Sequence, residues 1–181
     1  ADLPYAVAEY NAEHDLRLST YASVEAQVAA IADDVAYNNH DIDDGLRAGL
    51  FSIKDLSDLP LVGPVFHEVK KNHPDLDVSR TIHEAIRRMI GEMVTDLLNE
   101  TNRRLMELKP KSSDDIRMSN RPVAGFSETM RANDAALKKF LFKNMYKHYK
   151  LNRMTSKAKR VVTKLFDLLI KEPECLPQEL Y

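Results

Sequence analysis

Apolar residues recur every three or four positions over most of the chain, which is the spacing of an amphipathic α-helix. The first such stretch begins after Ser23, a favourable N-cap, and predicts a helix that ends or bends between Gly45 and Gly49. Many alanines separate its larger apolar residues, so we expect this helix to be buried on most sides. Those regularly spaced apolar residues are Val24, Val28, Ile31 and Val35.

The middle of the chain predicts two helices and two connections. Residues 56–64 contain prolines and a glycine and indicate a connection, and a short helix over 64–72 follows with Pro64 at its first position. Residues 78–108 are the longest periodic stretch and predict one long helix, although Gly91 weakens it locally by about 1 kcal/mol. Residues 109–128 predict a loop whose length suggests a functional role or mobility.

Two further helices end the chain. One is predicted over residues 132–151, and the last begins with Thr155 or Ser156 as its cap and ends at about Lys171, before Pro173. No strand pattern, internal repeat or domain boundary stands out. The sequence therefore predicts an all-α fold with residues 1–181 as one helical unit.

Composition narrows the class of protein. Hydrophobic residues make up 44% and charged residues 30% of the chain, as in soluble globular proteins. Cys175 is the only cysteine, so an internal disulfide is excluded and a cytoplasmic location is expected. No apolar run approaches the roughly 20 residues that a membrane-spanning helix needs, so we expect no membrane partner.

The charges are distributed unevenly along the chain. Residues 1–60 contain 12 acidic and 3 basic residues, whereas residues 131–164 contain 11 basic residues and a single acid, Asp134. An acidic segment suits a metal or a hydroxyl-rich ligand, and a basic segment suits phosphate groups or nucleic acid. The alternative is that the lysines and arginines only solvate helix surfaces.

Asp33, Tyr37 and Asp41 are spaced four residues apart, which places them along one face of the first predicted helix. Two carboxylates and a phenol on one face of an otherwise apolar helix indicate a binding site, because buried charges are costly unless they are paired or bind metal. Two structural alternatives are open. The acids can cap neighbouring helices or pair with the basic segment, or this face can simply point to solvent.

The segment from Ser23 to Leu46 resembles the part of bacterial dGTP triphosphohydrolases, in the HD phosphohydrolase superfamily, that carries the last metal ligand. Weaker similarity continues through residues 145–149, 152–154 and 165–177. The resemblance implies the C-terminal part of a helical HD-domain-type bundle. It also implies a divalent metal such as Mg²⁺ or Mn²⁺, a deoxynucleoside triphosphate substrate and a homo-oligomer.

The resemblance also implies roles for individual residues. Asp33, rather than its neighbour Asp34, matches the last metal ligand of the family. Tyr37 would lie against the sugar of a deoxynucleotide, where its ring would disfavour a ribonucleotide. Asp41 would accept a hydrogen bond from the 3′-hydroxyl.

The basic helix is the second candidate part of the site. By the same resemblance Tyr146 and His148, together with Lys138 and Arg153, are expected to contact the nucleotide. The alternatives are an amphipathic core residue for Tyr146 and a surface imidazole for His148. Several lysines nearby could also form a patch for single-stranded DNA or an effector nucleotide. These are Lys143, Lys147, Lys150, Lys157 and Lys159.

The remaining metal ligands of the family, a His and a His-Asp pair, have no counterpart before Asp33. Neither His14-Asp15 nor His40-Asp41 has the required position. We therefore expect this chain to be the C-terminal half of a dNTP triphosphohydrolase that lacks activity by itself. The alternative is a non-catalytic nucleotide-binding or oligomerisation module of the same family.

Overall fold

The computed structural model describes residues 3–177, and it confirms the all-α prediction: seven α-helices and no strand occur in that range. A 3-10 turn at Ile53–Leu56, a π-helical turn at Phe142–Tyr146 and a 3-10 turn at Pro173–Cys175 accompany them. The helices are α1 (Tyr5–Glu13), α2 (Val24–Arg47), α3 (Val62–Asn72), α4 (Val78–Leu108), α5 (Ser113–Arg117), α6 (Glu128–Leu141) and α7 (Tyr149–Lys171).

The core is organised around α4, against which α2 and α3 pack, and α6 packs against α2. Each of these four helices contributes side chains that are less than 2% exposed, so the helices share one continuous apolar interior. The largest fully buried apolar side chains are Ile42, Val62, Val69, Met89, Met93, Leu137 and Leu141, with Leu56 from the 3-10 turn.

Gly45 allows an aromatic ring to lie directly against α2. A Cβ atom at this position would come within 2.2 Å of the Phe51 ring. Phe51 in turn contacts Phe140 edge to face, with ring centroids 5.1 Å apart. The absence of a side chain at Gly45 is therefore needed for the contact between α2 and the aromatic pair.

The predicted bounds of α2 and α4 are confirmed. The Ser23 hydroxyl caps α2 by accepting from the Ala26 amide, and α2 ends at Arg47, before the left-handed Gly49 (φ 62°). α4 runs without a break over 78–108, and Gly91 lies on its exposed side. α3 begins at Val62, two residues before the expected Pro64.

The prediction that α2 is buried on most sides is wrong. Its buried residues lie on one side, and alanines at 26, 29, 30, 32 and 36 are exposed. Those buried residues are Val35, Asn38, Asn39, Ile42 and Gly45. α2 thus has an inner face against the core and an outer face that no described residue covers.

The prediction for the last two helices is also wrong in detail. α6 begins at Glu128 rather than at 132, because the Ser127 hydroxyl caps it by accepting from the Met130 amide at 3.2 Å. The chain leaves the helix after the π-helical turn, and α7 begins at Tyr149 instead of after Thr155 or Ser156. The imidazole of His148 caps α7, since its Nδ1 accepts from the Lys150 amide at 3.3 Å.

The segment predicted as a loop over 109–128 contains α5 and is held at several points. The Gln27 side-chain oxygen accepts from the Val123 and Ala124 amides at 2.8 and 3.0 Å. The Arg104 guanidinium donates to the carbonyls of Pro122 and Phe126 at 3.1 and 2.9 Å. These bonds hold the segment against α2 and α4, so it is anchored despite its length.

Two helices lie largely outside the core. α1, which the sequence pattern did not predict, buries none of its residues, and neither does α7. α7 combines many basic residues with an exposed apolar stripe. The stripe consists of Val161, Val162, Leu165, Phe166, Leu168 and Ile170. Over the described range, no helix has the length and apolarity that crossing a membrane requires.

Candidate functional site

Asp33 and Tyr37 lie on the outer face of α2. Both are exposed, Tyr37 with 63% of its surface, and α2 turns its buried residues Val35, Asn38 and Ile42 the opposite way. Asp41 lies at the edge of this face and is half-buried, because each step of four residues rotates about 40° around the helix. The three residues therefore share a side of α2 as expected, with Asp33 and Tyr37 open to solvent.

Asp41 is joined to the π-helical turn. The Tyr146 hydroxyl donates a hydrogen bond to Asp41 Oδ2. The two residues belong to separate segments of the chain, and both were predicted to contact the nucleotide. This hydrogen bond, together with partial burial, raises the pKa of the Tyr146 phenol to about 12. Tyr146 therefore stays a neutral donor at physiological pH, and Asp41 keeps its other oxygen without a hydrogen bond from residues 3–177.

Lys138 lies between two carboxylates rather than against a vacant surface. Its ammonium contacts Asp34 Oδ2 at 2.9 Å and Asp134 Oδ2 at 3.0 Å. Desolvation lowers the pKa of Lys138, but its hydrogen bonds to Asp34 and Asp134 outweigh that effect, so its pKa is raised. Lys138 thus links α6 to α2 through ion pairs. This agrees with the structural alternative that acids of α2 pair with the basic segment.

A buried hydrogen bond lies beneath this ion pair. Asn38 Nδ2 donates to Asp134 Oδ1 at 2.8 Å, and the two residues are only 6% and 8% exposed. Asp134 therefore accepts from α2 on one oxygen and from Lys138 on the other. The sequence signal for this pair was Asp134 itself, the single acid within the basic stretch 131–164.

The remaining predicted residues are not gathered around Asp33 by any described contact. His148 is half-buried and its ring caps α7 while lying 4.8 Å from the Tyr149 ring. Arg153 is exposed and lines an open groove along the first turns of α7. That groove also includes Tyr149, Asn152, Met154, Ser156, Lys157 and Arg160.

A metal requires more ligands than this face provides. Within residues 3–177 no three His, Cys, Asp or Glu side chains are grouped so that they could hold a metal ion. Asp33 has only one carboxylate, and Asp34 is already paired with Lys138. Metal sites of this kind need several protein ligands, so the described residues do not form a metal site by themselves.

Comparison with known proteins indicates what the chain is similar to. A family model described as a phosphohydrolase-associated domain matches residues 124–181. A deoxyguanosinetriphosphate triphosphohydrolase-like protein of Parvibaculum lavamentivorans is 58% identical over 179 residues, which is 99% of this chain and 45% of that protein. Proteins of the same name from Caulobacter vibrioides and Brucella suis are 48% and 46% identical.

Those two matches cover 95% and 98% of this chain and 44% of each relative, so the chain spans less than half the length of the curated relatives it matches. Identity at this level over nearly the whole chain extends far beyond the segment around α2. The chain is thus similar over nearly its whole length to deoxyguanosinetriphosphate triphosphohydrolase-like proteins, and the partial coverage is consistent with their C-terminal portion.

Proposed function

We propose that this chain is part of a metal-dependent enzyme that hydrolyses a dGTP-like deoxynucleoside triphosphate to a deoxynucleoside and triphosphate. The observation that carries the proposal is the outer face of α2, where Asp33 and Tyr37 are exposed beside the hydrogen-bonded pair of Asp41 and Tyr146. An uncovered face rich in alanine and bearing a carboxylate and a phenol suits contact with further polypeptide and with a ligand. The names of the relatives support the reaction class.

In this proposal Asp33 contributes one carboxylate to a divalent metal such as Mg²⁺ or Mn²⁺. The other ligands belong to the portion of the longer protein that this chain does not include. Two features support that division: no described cluster holds a metal, and the relatives are more than twice the length of the match. The bound metal would supply an activated water and charge stabilisation at the phosphate.

Tyr37 and Asp41 are proposed to hold the sugar. The exposed ring of Tyr37 offers a flat apolar surface for the deoxyribose, and a 2′-hydroxyl would be disfavoured against it. Asp41 accepts from Tyr146 with one oxygen and has the other available for the 3′-hydroxyl. Tyr146 would then act as a positioning residue that fixes the orientation of the Asp41 carboxylate.

His148 and Arg153 are proposed to approach the nucleotide from the start of α7, where the groove lined by Arg153, Lys157 and Arg160 is strongly basic. Lys138 is proposed to assist only indirectly. A phosphate that reached its ammonium would compete with Asp34 and Asp134. Its role is therefore to keep α6, and with it Tyr146, against α2.

The test compares dGTP hydrolysis by the longer protein and by the 181-residue chain, with deoxyguanosine and triphosphate measured by chromatography in Mg²⁺ and Mn²⁺. We expect turnover by the longer protein and none by the chain alone. Asp33→Ala should abolish turnover, whereas Asp34→Ala, the adjacent carboxylate on the same helix, should retain most of it. Turnover by the isolated chain, or loss with Asp34→Ala but not with Asp33→Ala, would overturn the proposal.

The sugar-binding roles are tested by a kinetic split. Asp41→Asn and Tyr146→Phe in the longer protein should raise KM for dGTP, because both weaken contacts to bound substrate. Tyr37→Ala should reduce the preference for dGTP over GTP. An unchanged preference in Tyr37→Ala would exclude the proposed contact between its ring and the sugar.

A second candidate function is a non-catalytic nucleotide-binding or oligomerisation module, favoured by the exposed apolar stripe of α7. Apolar helix faces of this kind commonly pack in subunit contacts. Light scattering on the longer protein measures its oligomeric state. Dissociation by Leu165→Gln, together with dGTP binding but no turnover, would favour the module over the enzyme.

The basic residues of α7 also allow contact with single-stranded DNA or an effector nucleotide. Binding driven by lysine contacts to phosphates weakens steeply as salt concentration rises. A titration with single-stranded DNA at two salt concentrations therefore tests this partner. Binding without salt dependence would argue against it.

A further inference from the structure

A cavity of about 430 Å³ opens between the 3-10 turn Ile53–Leu56, α3 and the start of α4. Its volume falls within the roughly 300–1,000 Å³ of small-molecule sites. Phe66 is buried and Ile53 and Leu76 are half-buried along its lining, which makes an apolar floor. Such a floor favours the apolar body of a ligand.

The charged side chains that line this cavity are lysines, and two histidines lie beside them. Lys54, His67, Lys70 and His73 line the cavity, are all exposed, and form no ion pair within residues 3–177. No carboxylate is among the lining residues. The cavity therefore combines an apolar floor with two lysines that form no ion pair among the described residues.

Asp58, Glu68, Asp75 and Asp77 adjoin lining residues in the sequence, and so does Asp55, which is engaged elsewhere. Asp55 lies next to Lys54, but its Oδ2 accepts from the Ser52 amide at 2.8 Å and from the Ser52 hydroxyl at 2.7 Å. Those bonds, with a smaller effect from Lys54, lower the pKa of Asp55. Asp55 is thus committed to capping the 3-10 turn.

In a neighbouring groove, by contrast, the basic side chains form ion pairs with carboxylates. It shares His73 and Leu76 with the cavity and contains several arginines. Arg47 contacts Asp43 at 2.8 Å, and Arg88 contacts Glu84 at 2.8 Å. Because these arginines are already paired, we expect an anion in this region to meet Lys54 and Lys70 in the cavity more readily than the arginines of the groove.

The wall of the cavity is shaped by close backbone packing. A Cβ atom on Gly63 would lie 2.0 Å from the Ser57 carbonyl oxygen, so only glycine allows this approach. Leu61, between them, has a positive φ of 71°, which is rare for a residue with a side chain. Such over-determined backbone is held by its surroundings, which indicates a preformed wall.

We propose that this cavity binds a phosphate monoester with an aromatic or aliphatic body. The body lies on the floor formed by Phe66, Ile53 and Leu76, and the phosphate is held by Lys54 and Lys70. Lysine ammonium groups bind phosphate as point charges, and the imidazoles of His67 and His73 add hydrogen-bond donors. Nucleoside monophosphates and alkyl phosphates share this chemistry. The proposal does not depend on the reaction proposed above.

The test is a fluorescence titration of the 181-residue chain with 1-naphthyl phosphate. We expect saturable binding that is at least about tenfold tighter than binding of 1-naphthol or of inorganic phosphate, since each of these satisfies only half of the site. Lys54→Gln combined with Lys70→Gln should weaken binding by about tenfold or more. Both residues are exposed, so the fold is expected to survive the change.

The matched control is Lys164→Gln combined with Lys171→Gln on α7, the other surface that joins lysines to apolar residues. It should change the affinity by less than about twofold. Displacement of the probe by AMP or by octyl phosphate identifies which source of the ligand the cavity prefers. The proposal would be overturned if neither AMP nor octyl phosphate displaces the probe, or if inorganic phosphate binds as tightly as the probe. It would also be overturned if the α7 control loses binding and the cavity variant does not.

Discussion

Removal of the Asn38 amide is expected to destabilise the fold more than removal of the ion pair above it. Asn38→Ala deletes the 2.8 Å hydrogen bond to the buried Asp134 carboxylate. Hydrogen bonds to charged groups contribute about 1.5–3 kcal/mol. Alanine regains up to about 0.7 kcal/mol through its higher helix propensity. The free energy of unfolding should therefore fall by roughly 1–2.5 kcal/mol.

Two comparisons isolate this hydrogen bond. Asn102→Ala makes the same substitution at an exposed position inside α4, so it should change stability only by its propensity gain of up to about 0.7 kcal/mol. Lys138→Met removes an ion pair whose lysine is 43% exposed, and surface pairs contribute only about 0–1 kcal/mol. Urea unfolding followed by circular dichroism measures all three. Equal midpoints for Asn38→Ala and Asn102→Ala would refute the reasoning.

Three further outcomes are expected. Gly91→Ala should stabilise the chain by up to about 1 kcal/mol, because nothing lies within 4 Å of its added Cβ. Gly45→Ala has the same gain in helix propensity, but overpacking against the Phe51 ring should cost about 1–3 kcal/mol of stability. An equal rise in melting temperature for both variants would contradict the contact with that ring. In an NMR titration, Asp41→Asn should move the pKa of Tyr146 down from about 12 towards 10, and an unchanged midpoint would exclude their hydrogen bond. Hydrogen bonds from two arginines lower the pKa of Glu100 to about 2, so its stabilising effect is present above about pH 4.5 and is lost as the pH falls towards 2. Glu100→Gln should flatten the dependence of the melting temperature on pH across that window, and a curve as steep as the wild type's would refute this.

At α2 and α4 the helix bounds followed from the sequence, whereas the cap at Ser127 that begins α6 was missed. The apolar stripe of α4 and the cap at Ser23 predicted elements that the structure confirms. The bounds failed at the junction of α6 and α7, where apolar periodicity continues through 142–151. Two effects interrupt the helix there: a π-helical turn and the cap formed by the His148 imidazole. Neither has a periodic signature, because both depend on one backbone conformation and one side-chain bond.

For the candidate site, the sequence predicted which residues share a face of α2 but not which residues they contact. Spacing indicated that Asp33, Tyr37 and Asp41 lie on one side of α2, and the structure agrees. The side chains that contact this part of α2 come from residues about 100 positions later: Tyr146 bonds Asp41, and Lys138 bonds Asp34, the neighbour of Asp33. Contacts over that distance depend on how α6 packs against α2, which propensity and periodicity do not encode.

The prediction that α2 is buried on most sides was wrong because alanine is a weak indicator of burial. Alanine is compatible both with a buried helix and with an exposed one, since it has the highest helix propensity and little surface. The inner face of α2 packs against α4, and Asp41 contacts the π-helical turn. The exposed alanines lie on the outer face, around Asp33 and Tyr37. Small side chains let a second surface approach the backbone closely, so a carboxylate and a phenol set among alanines suit a site completed by another part of the protein. Under that proposal, the exposed alanines on the outer face of α2 and the lack of a metal-holding cluster among residues 3–177 have one explanation.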